Sequence, residues 1–196
     1  MPTEATIRAA AIARGRALQR SNALMALLCG LLPAALLGFW FPSSPGRWIA
    51  AFLAGLVWAN AFEYVYHRFL LHLPGSAFAE GHLLHHATVG SPTEGEQVNF
   101  AGSPLRVALL FFANEAPLVA LDLWLRLGIA SGMLVAFTLY FIATEEIHWR
   151  IHLGGWLPAV LARARAYHLA HHDRPDARFS VFLPLFDWLF APSPVR

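Results

Sequence analysis

Residues 145–152 read EEIHWRIH, and residues 168–172, which follow a basic connector, read HLAHH. These two stretches contain five of the ten histidines of the chain. The other five form a matching pair of motifs upstream: His67 with His72, and residues 82–86, which read HLLHH. No histidine of the sequence lies outside these four motifs. Histidines that served only packing or solubility would be scattered, so the chain is predicted to be a scaffold for a polyhistidine metal site.

The spacing within the motifs suits metal binding, because successive residues of a helix turn by about 100°. The three histidines of each HxxHH motif then lie within an arc of roughly 100°, so each motif is predicted to aim several imidazoles at one point. His148 and His152 stack one turn apart on one face. His67 and His72 diverge by about 140° on an ideal helix. Either they bind different metals or the helix ends between them, and the proline and glycine at 74–75 favour a helix end.

Ten imidazoles are too many for one ion and suit two ions with five or six ligands each. Imidazole binds zinc, copper, iron and nickel, but structural zinc takes only four ligands. The number of histidines therefore favours a redox metal such as iron. The predicted metal ligands are His67, His72, His82, His85, His86, His148, His152, His168, His171 and His172.

Four carboxylates near the histidines are predicted to orient imidazole N–H groups: Glu63, Glu145, Glu146 and Asp173. An ordinary surface charge is the alternative for Asp173. For Glu63 the alternative is a structural hydrogen bond inside the membrane, where a carboxylate is costly and needs a partner.

The composition is that of a membrane protein, with 57% hydrophobic and 13% charged residues. All 14 basic residues are arginines, the net charge is only +2, and the arginines lie in short segments beside apolar runs. This pattern favours a role in membrane topology over nucleic-acid binding. Cys29 is the single cysteine, which excludes disulfides within the chain and cysteine-ligated clusters.

The sequence predicts an all-α integral membrane protein that forms a single domain over residues 1–196. Residues 1–22 carry four arginines and are predicted to be a cytoplasmic lead-in at the membrane interface, with a cleaved signal peptide as the alternative. Apolar stretches long enough to cross a bilayer predict spans at about 23–41, 48–66, 105–125 and 128–147.

The last two apolar stretches either cross the membrane fully or form a re-entrant pair. In both arrangements the chain returns to the side that it left, so all four histidine motifs face one compartment. Twelve arginines lie on that side, and only Arg47 and Arg126 lie on the other. Positive charge favours the cytoplasm, so the motifs are predicted to form a helical cytoplasmic cap that holds a dimetal site.

The order of the motifs, HxxxxH, HxxHH, HxxxH and HxxHH, resembles the fatty acid hydroxylase/sterol desaturase superfamily of membrane di-iron oxygenases. Residues 63–72, EYVYHRFLLH, are similar to the first histidine box of that family. Residues 144–155, 167–172 and 187–190 are similar to its C-terminal signature, and the similarity covers roughly residues 55–190. The HxxxH motif is more similar to the fatty acyl 2-hydroxylase branch than to the carotenoid hydroxylases.

This resemblance implies O2-dependent hydroxylation of a membrane lipid, and its branch implies a fatty acyl chain. It also implies two iron ions, with zinc possible in purified protein, and all ten histidines as their ligands. A haem domain that could supply electrons would not fit within residues 1–22. We therefore expect an external electron donor: a separate cytochrome b5, ferredoxin or reductase.

Two other functions fit the residues. A sterol, carotenoid or other isoprenoid oxidase of the same superfamily would have the same metal ligands. A non-catalytic membrane metal-binding or transport protein would also need clustered histidines, but transporters place their polar ligands near the bilayer midplane. These histidine motifs follow the ends of the predicted spans instead.

Overall fold

The computed structural model describes residues 1–76 and 78–190. Within these residues the regular elements are all helices, which confirms the predicted all-α class. Residues 77 and 191–196 of the predicted domain lie outside the described residues. Besides a one-turn 3₁₀-helix (Ala159–Leu161), the helices are α1 (Glu4–Trp40), α2 (Pro45–Leu71), α3 (Ala79–Thr88), α4 (Glu94–Gln97), α5 (Pro104–Leu125), α6 (Ala130–Leu153), α7 (Ala162–Asp173) and α8 (Leu185–Phe190).

Four helices, α1, α2, α5 and α6, are long and apolar enough to cross a membrane. The shortest of them has 22 residues, and about 20 residues are needed to cross the hydrocarbon core of a bilayer. These helices indicate an integral membrane protein. The predicted limits of each span, and the choice between a full crossing and a re-entrant pair, stay predictions.

Two of the long helices contain π-helical segments, in which the hydrogen bonds run from residue i to residue i+5. The first is Leu27–Leu31, inside α1. The second is Tyr66–Leu71, the last part of α2, and it contains His67. Such segments are rare in proteins, and those that occur often lie at functional sites. The end of α2 is therefore a candidate part of a functional site.

The chain forms two compact units. The first, called the histidine unit, comprises Met1–Gln19, Asn60–Gly102 and the described residues from Thr144 onward. The second, called the span unit, comprises Arg20–Ala59 and Ser103–Ala143. All ten histidines belong to the histidine unit. A single membrane-embedded domain over residues 1–196 stays a prediction.

Glycines allow close packing of two helices in the span unit. A Cβ atom at Gly55 would lie 2.8 Å from Met133 Cα, and one at Gly132 would lie 2.7 Å from the Trp48 carbonyl oxygen. Glycines at these positions let α2 and α6 approach closely, which is the usual packing between helices in a membrane. The turn between α5 and α6 is capped by Asp122, whose carboxylate accepts hydrogen bonds from two backbone N–H groups at the start of α6.

The histidine unit has its own apolar core. Ile151 of α6, Ala164 of α7 and Val181 are buried together, and partly buried side chains such as Phe100 and Leu169 pack against them. This core fixes the end of α6 against α7 and the segment that follows α7. It therefore aligns the two C-terminal histidine motifs with each other.

Candidate metal centre

Four helices carry nine of the ten histidines, and the tenth directly follows one of these helices. His67 lies in the π-helical end of α2 and His72 directly follows it, while α3 carries the first HxxHH motif. His148 and His152 lie in the last turns of α6, and α7 carries the second HxxHH motif. Three of the motifs therefore sit in regular helix, as their spacing predicts.

The ten imidazoles form two groups, and the ligand nitrogens of each group lie within 4.8 Å of one another. Cluster A contains His67, His72, His82, His86 and His171. Cluster B contains His85, His148, His152, His168 and His172. Every histidine that the sequence predicts as a ligand is thus in one of two groups that could hold a metal ion.

Each HxxHH motif places two of its three imidazoles in one cluster and the third in the other. The first and last histidines of the α3 motif, His82 and His86, belong to cluster A, but His85 belongs to cluster B. In α7, His168 and His172 belong to cluster B, but His171 belongs to cluster A. On a helix, residues i and i+4 share a face while residue i+3 turns to the other side of residue i. The arc of each motif is therefore wide enough to serve both clusters.

His67 and His72 lie in the same cluster, and the backbone explains how. The helix ends at Leu71, so a helix end between the two histidines is the alternative that holds. The π-helical hydrogen bonding before that end also places residue i+5 about one turn above residue i. The two rings stack with their centroids 5.1 Å apart and an angle of 25° between their planes. The divergence expected for an ideal α-helix does not occur.

The Nε2 atoms of each cluster are spaced as ligands of one ion would be. In cluster A, His82 Nε2 lies 2.9 Å from His67 Nε2 and 3.1 Å from the Nε2 atoms of both His72 and His86. A ring nitrogen carries one hydrogen or one lone pair, so it cannot satisfy three such neighbours by hydrogen bonding. Two ligands at right angles on bonds of about 2.1 Å would lie about 3.0 Å apart, whereas tetrahedral ligands would lie about 3.4 Å apart.

Cluster B repeats this arrangement around His168. Its Nε2 atom lies 2.9 Å from that of His148, 3.1 Å from that of His152 and 3.2 Å from that of His172. Both ring nitrogens of His85 are buried without a hydrogen-bond partner. A buried imidazole without a partner is costly, and a metal bond would satisfy it. The donor set and spacing of both clusters fit a metal with five imidazole ligands.

The clusters adjoin each other. The rings of His86 (cluster A) and His172 (cluster B) have centroids 4.1 Å apart. The ring of Phe100 touches both clusters, with centroids 5.2 Å from His67 and 5.9 Å from His148. Two five-imidazole groups at this separation are suited to a dinuclear centre.

Burial keeps the imidazoles in the neutral form that binds metals. It lowers the pKa of His72 to about 4, of His86 to about 3 and of His172 to about 2, and neighbouring imidazoles add to the effect. The pKa values of His85 and His168 are likewise lowered well below the usual value, again chiefly by burial.

We expect the metal-free protein to lose thermal stability as the pH falls below about 6.5, the pKa of histidine in an unfolded chain. Below that pH the unfolded state binds protons that the folded state resists, so the free energy of unfolding decreases toward the folded pKa values. Circular dichroism of the chelator-treated protein in detergent, at several pH values, checks this. The triple variant His72→Ala, His86→Ala, His172→Ala should show a weaker pH dependence, and a constant Tm between about pH 7 and pH 5 would contradict the prediction.

Outward-facing hydrogen bonds orient three of the rings. His67 Nδ1 donates to the Phe179 carbonyl oxygen, and His171 Nδ1 donates to the Ala177 carbonyl oxygen at 2.7 Å. His152 Nδ1 is 3.0 Å from a carboxylate oxygen of Glu94. A hydrogen bond at Nδ1 fixes the tautomer and leaves Nε2 free to face the metal. Two of these bonds serve cluster A and one serves cluster B.

The two carbonyl groups that accept hydrogen bonds from histidines of cluster A belong to one segment, residues 177–181, called the strap. Buried Asp187 holds the strap by accepting hydrogen bonds from Phe179 N at 2.9 Å and Ser180 N at 2.8 Å. Glu63 accepts a third from Val181 N at 2.8 Å. Two buried carboxylates thus fix the backbone that orients two ligands of cluster A.

The four carboxylates that are predicted to orient imidazoles differ in what they bind and in how exposed they are. Glu63 binds the strap, and Glu145 accepts hydrogen bonds from the backbone N–H groups of residues 100 and 101. Glu146 forms ion pairs with Arg16 and Arg150, and Asp173 is exposed at the end of α7. The sequence reasoning missed Glu94 and Asp187. Asp187 lies in the quoted C-terminal signature, whereas no local pattern marks Glu94, whose partner is 58 residues away.

Comparison with known proteins identifies the family. The fatty acid hydroxylase family model matches residues 52–191. Fatty acid 2-hydroxylases of the rat, Rattus norvegicus, and the mouse, Mus musculus, are each 27% identical to the chain over 149 residues. That alignment covers 72% of this chain and 39% of each relative, so the chain spans about two fifths of the length of the curated relatives it matches. No solved structure matches the chain.

The matched range contains all ten histidines and the strap, with the predicted order of motifs. The resemblance seen in the sequence is therefore confirmed: the chain belongs to the fatty acid hydroxylase family.

Proposed function

We propose that the protein is an O2-dependent di-iron hydroxylase that acts on a fatty acyl chain of a membrane lipid. The observation that carries this proposal is the pair of adjoining clusters, each with five imidazole nitrogens within 4.8 Å of one another. The family match and the names of the two fatty acid 2-hydroxylases support the substrate class.

Iron suits these clusters better than zinc. Imidazole nitrogen binds both metals, but zinc in a structural site takes four ligands in a tetrahedron. Five donors per cluster, with neighbouring nitrogens about 3 Å apart, fit the higher coordination numbers of iron. When bound, two iron ions would supply the activation of O2 and the oxidation of a C–H bond. Zinc could replace iron during purification.

The residues of the chain would contribute orientation and exclusion of water. The strap and Glu94 hold three imidazoles by their Nδ1 atoms, so their Nε2 atoms stay directed inward. His67, His148, His168 and His171 are completely buried, which keeps bulk water from the centre. Phe100 packs an apolar ring against both clusters. We propose that an acyl chain enters this apolar surrounding laterally from the bilayer.

We further propose that the clusters face the cytoplasm, because twelve arginines lie on their side of the predicted topology. The reaction needs electrons, and we propose that a separate cytochrome b5, ferredoxin or reductase supplies them. Reconstitution with each donor in turn, followed by measurement of O2 consumption, identifies the partner.

Lipid mass spectrometry of cells that express the wild type or His86→Ala tests the proposed function. We expect acyl chains that carry one additional oxygen atom in cells with the wild type and none in cells with the variant, since His86 is one of five nitrogens in cluster A. Leu84→Ala is the matched control, because Leu84 lies on the same helix with an exposed side chain, and it should retain activity.

The outcomes of this experiment separate the alternatives. Oxidation confined to sterols or isoprenoids would keep the metal chemistry and exclude the acyl substrate. Full activity of His86→Ala would exclude cluster A as the reaction centre. An unchanged lipid profile, with no O2 consumption when a reductant is supplied, would favour a non-catalytic metal-binding or transport protein.

A further inference from the structure

We propose that the first part of α1, residues 4–19, is a structural component of cluster B: it holds α4 in place, and α4 orients His152. This inference rests on the proposed metal binding by cluster B. Residues 4–19 lie outside the range that the family model matches, so the family match assigns them no role. Three sets of contacts, all within the histidine unit, support this role.

The first set links α4 to the metal ligand. Glu94, the first residue of α4, is only 4% exposed. One of its carboxylate oxygens lies 3.0 Å from His152 Nδ1, and the other accepts a hydrogen bond from Gly90 N at 3.0 Å. His152 Nε2 is thereby turned toward His168 Nε2 at 3.1 Å. The ring of His152 is therefore directed by Glu94.

The second set packs α4 on α1, backbone against backbone. A Cβ atom at Gly15 would overlap the carbonyl oxygen of Gly95, and one at Gly95 would lie 2.9 Å from Ile12 N. Ala11, one turn before Gly15, is completely buried. Such close contact requires residues without large side chains on both elements. Since α4 has only four residues and so short a helix is not stable alone, this contact holds it in position.

The third set consists of polar contacts that α1 makes with α4, with the loop that follows α4, and with α6. The Asn99 side-chain amide donates to the Gly15 carbonyl oxygen at 3.1 Å, and Arg14 forms an ion pair with Glu96. Gln19 Nε2 donates to the Glu145 carbonyl oxygen at 3.0 Å. The first part of α1 thus contacts α4, the loop that follows α4, and also α6. It therefore links the helix that contains Glu94 to the helix that contains His152.

The test is the iron content of the purified protein after anaerobic addition of iron(II), measured by mass spectrometry of the metal. We expect two irons per chain in the wild type and one in Gly15→Ala, because the added Cβ displaces α4 and with it Glu94. Gly30→Ala is the matched control: its Cβ would also meet a neighbour, the Thr138 hydroxyl, but in the span unit. It should keep two irons.

Double variants show which cluster loses its iron. Gly15→Ala combined with His172→Ala should still bind one iron, since both changes affect cluster B. Gly15→Ala combined with His86→Ala should bind none, since the two changes affect different clusters. Asn99→Ala provides a milder variant that adds no atoms, in case Gly15→Ala does not fold. It should lower the affinity for one iron and leave the other unchanged.

Three results would overturn the inference. Two irons in both Gly15→Ala and Asn99→Ala would show that α1 does not support cluster B. Equal loss of both irons in Asn99→Ala would show a general structural role. A wild type that binds no iron would overturn the proposed function together with this inference, whereas the first two results leave the proposed function intact.

Discussion

Replacement of either of two adjacent histidines, His171 and His172, is expected to remove one iron per chain, but a different iron in each case. His171 lies in cluster A and His172 in cluster B, although they are neighbours in α7. Both single variants should also lose hydroxylation at least about 100-fold, since loss even of a residue that only orients a metal ligand costs about 10- to 100-fold. Iron content and lipid hydroxylation are measured on the same preparations.

Double variants make this prediction specific. If each HxxHH motif contributes ligands to both clusters, the double variant His171→Ala, His172→Ala should bind no iron. The double variant His171→Ala, His86→Ala should then bind one. If each HxxHH motif formed a site of its own, the two doubles would give the opposite result. Each double is thus the control for the other, and the pair separates the observed arrangement from the one expected from spacing alone.

Substitution of Asp187 by asparagine is expected to remove the iron that we propose for cluster A and to abolish the proposed hydroxylation, although Asp187 is not a predicted ligand. Its two oxygens accept hydrogen bonds from Phe179 N and Ser180 N. Asparagine has one acceptor oxygen, and its NH2 group would face the other backbone N–H. Each buried hydrogen bond to a charged group contributes about 1.5–3 kcal/mol, so the strap should shift. The carbonyl partners of His67 and His171 shift with it.

Iron analysis checks this prediction, with Asp176→Asn as control because Asp176 is an exposed carboxylate just before the strap. The control should bind two irons and Asp187→Asn only one. Combining Asp187→Asn with His67→Ala should leave one iron, whereas combining it with His148→Ala should leave none. Two irons and normal activity in Asp187→Asn would contradict the role of the strap.

Much of this protein was predictable because the relevant signals are local. Long apolar stretches predict membrane-crossing helices, and the helical class is confirmed. The four motifs and their order indicate a polyhistidine centre. They also indicate the fatty acid hydroxylase family, and the family match confirms this membership. The candidate ligands were identifiable because no histidine of the sequence lies outside the motifs.

By itself, then, the sequence determined the helices, the candidate ligands and the family, because helix formation and motif spacing depend on residues within a few turns of each other. The tertiary structure decided how the ligands are distributed. Helical periodicity places His85 on one side of His82 and His86 on the other, but only the packing of α3 against α6 and α7 brings His85 into cluster B. The roles of Glu94 and Asp187 also depend on distant partners, since hydrogen bonds between separate elements form only when the whole unit is packed.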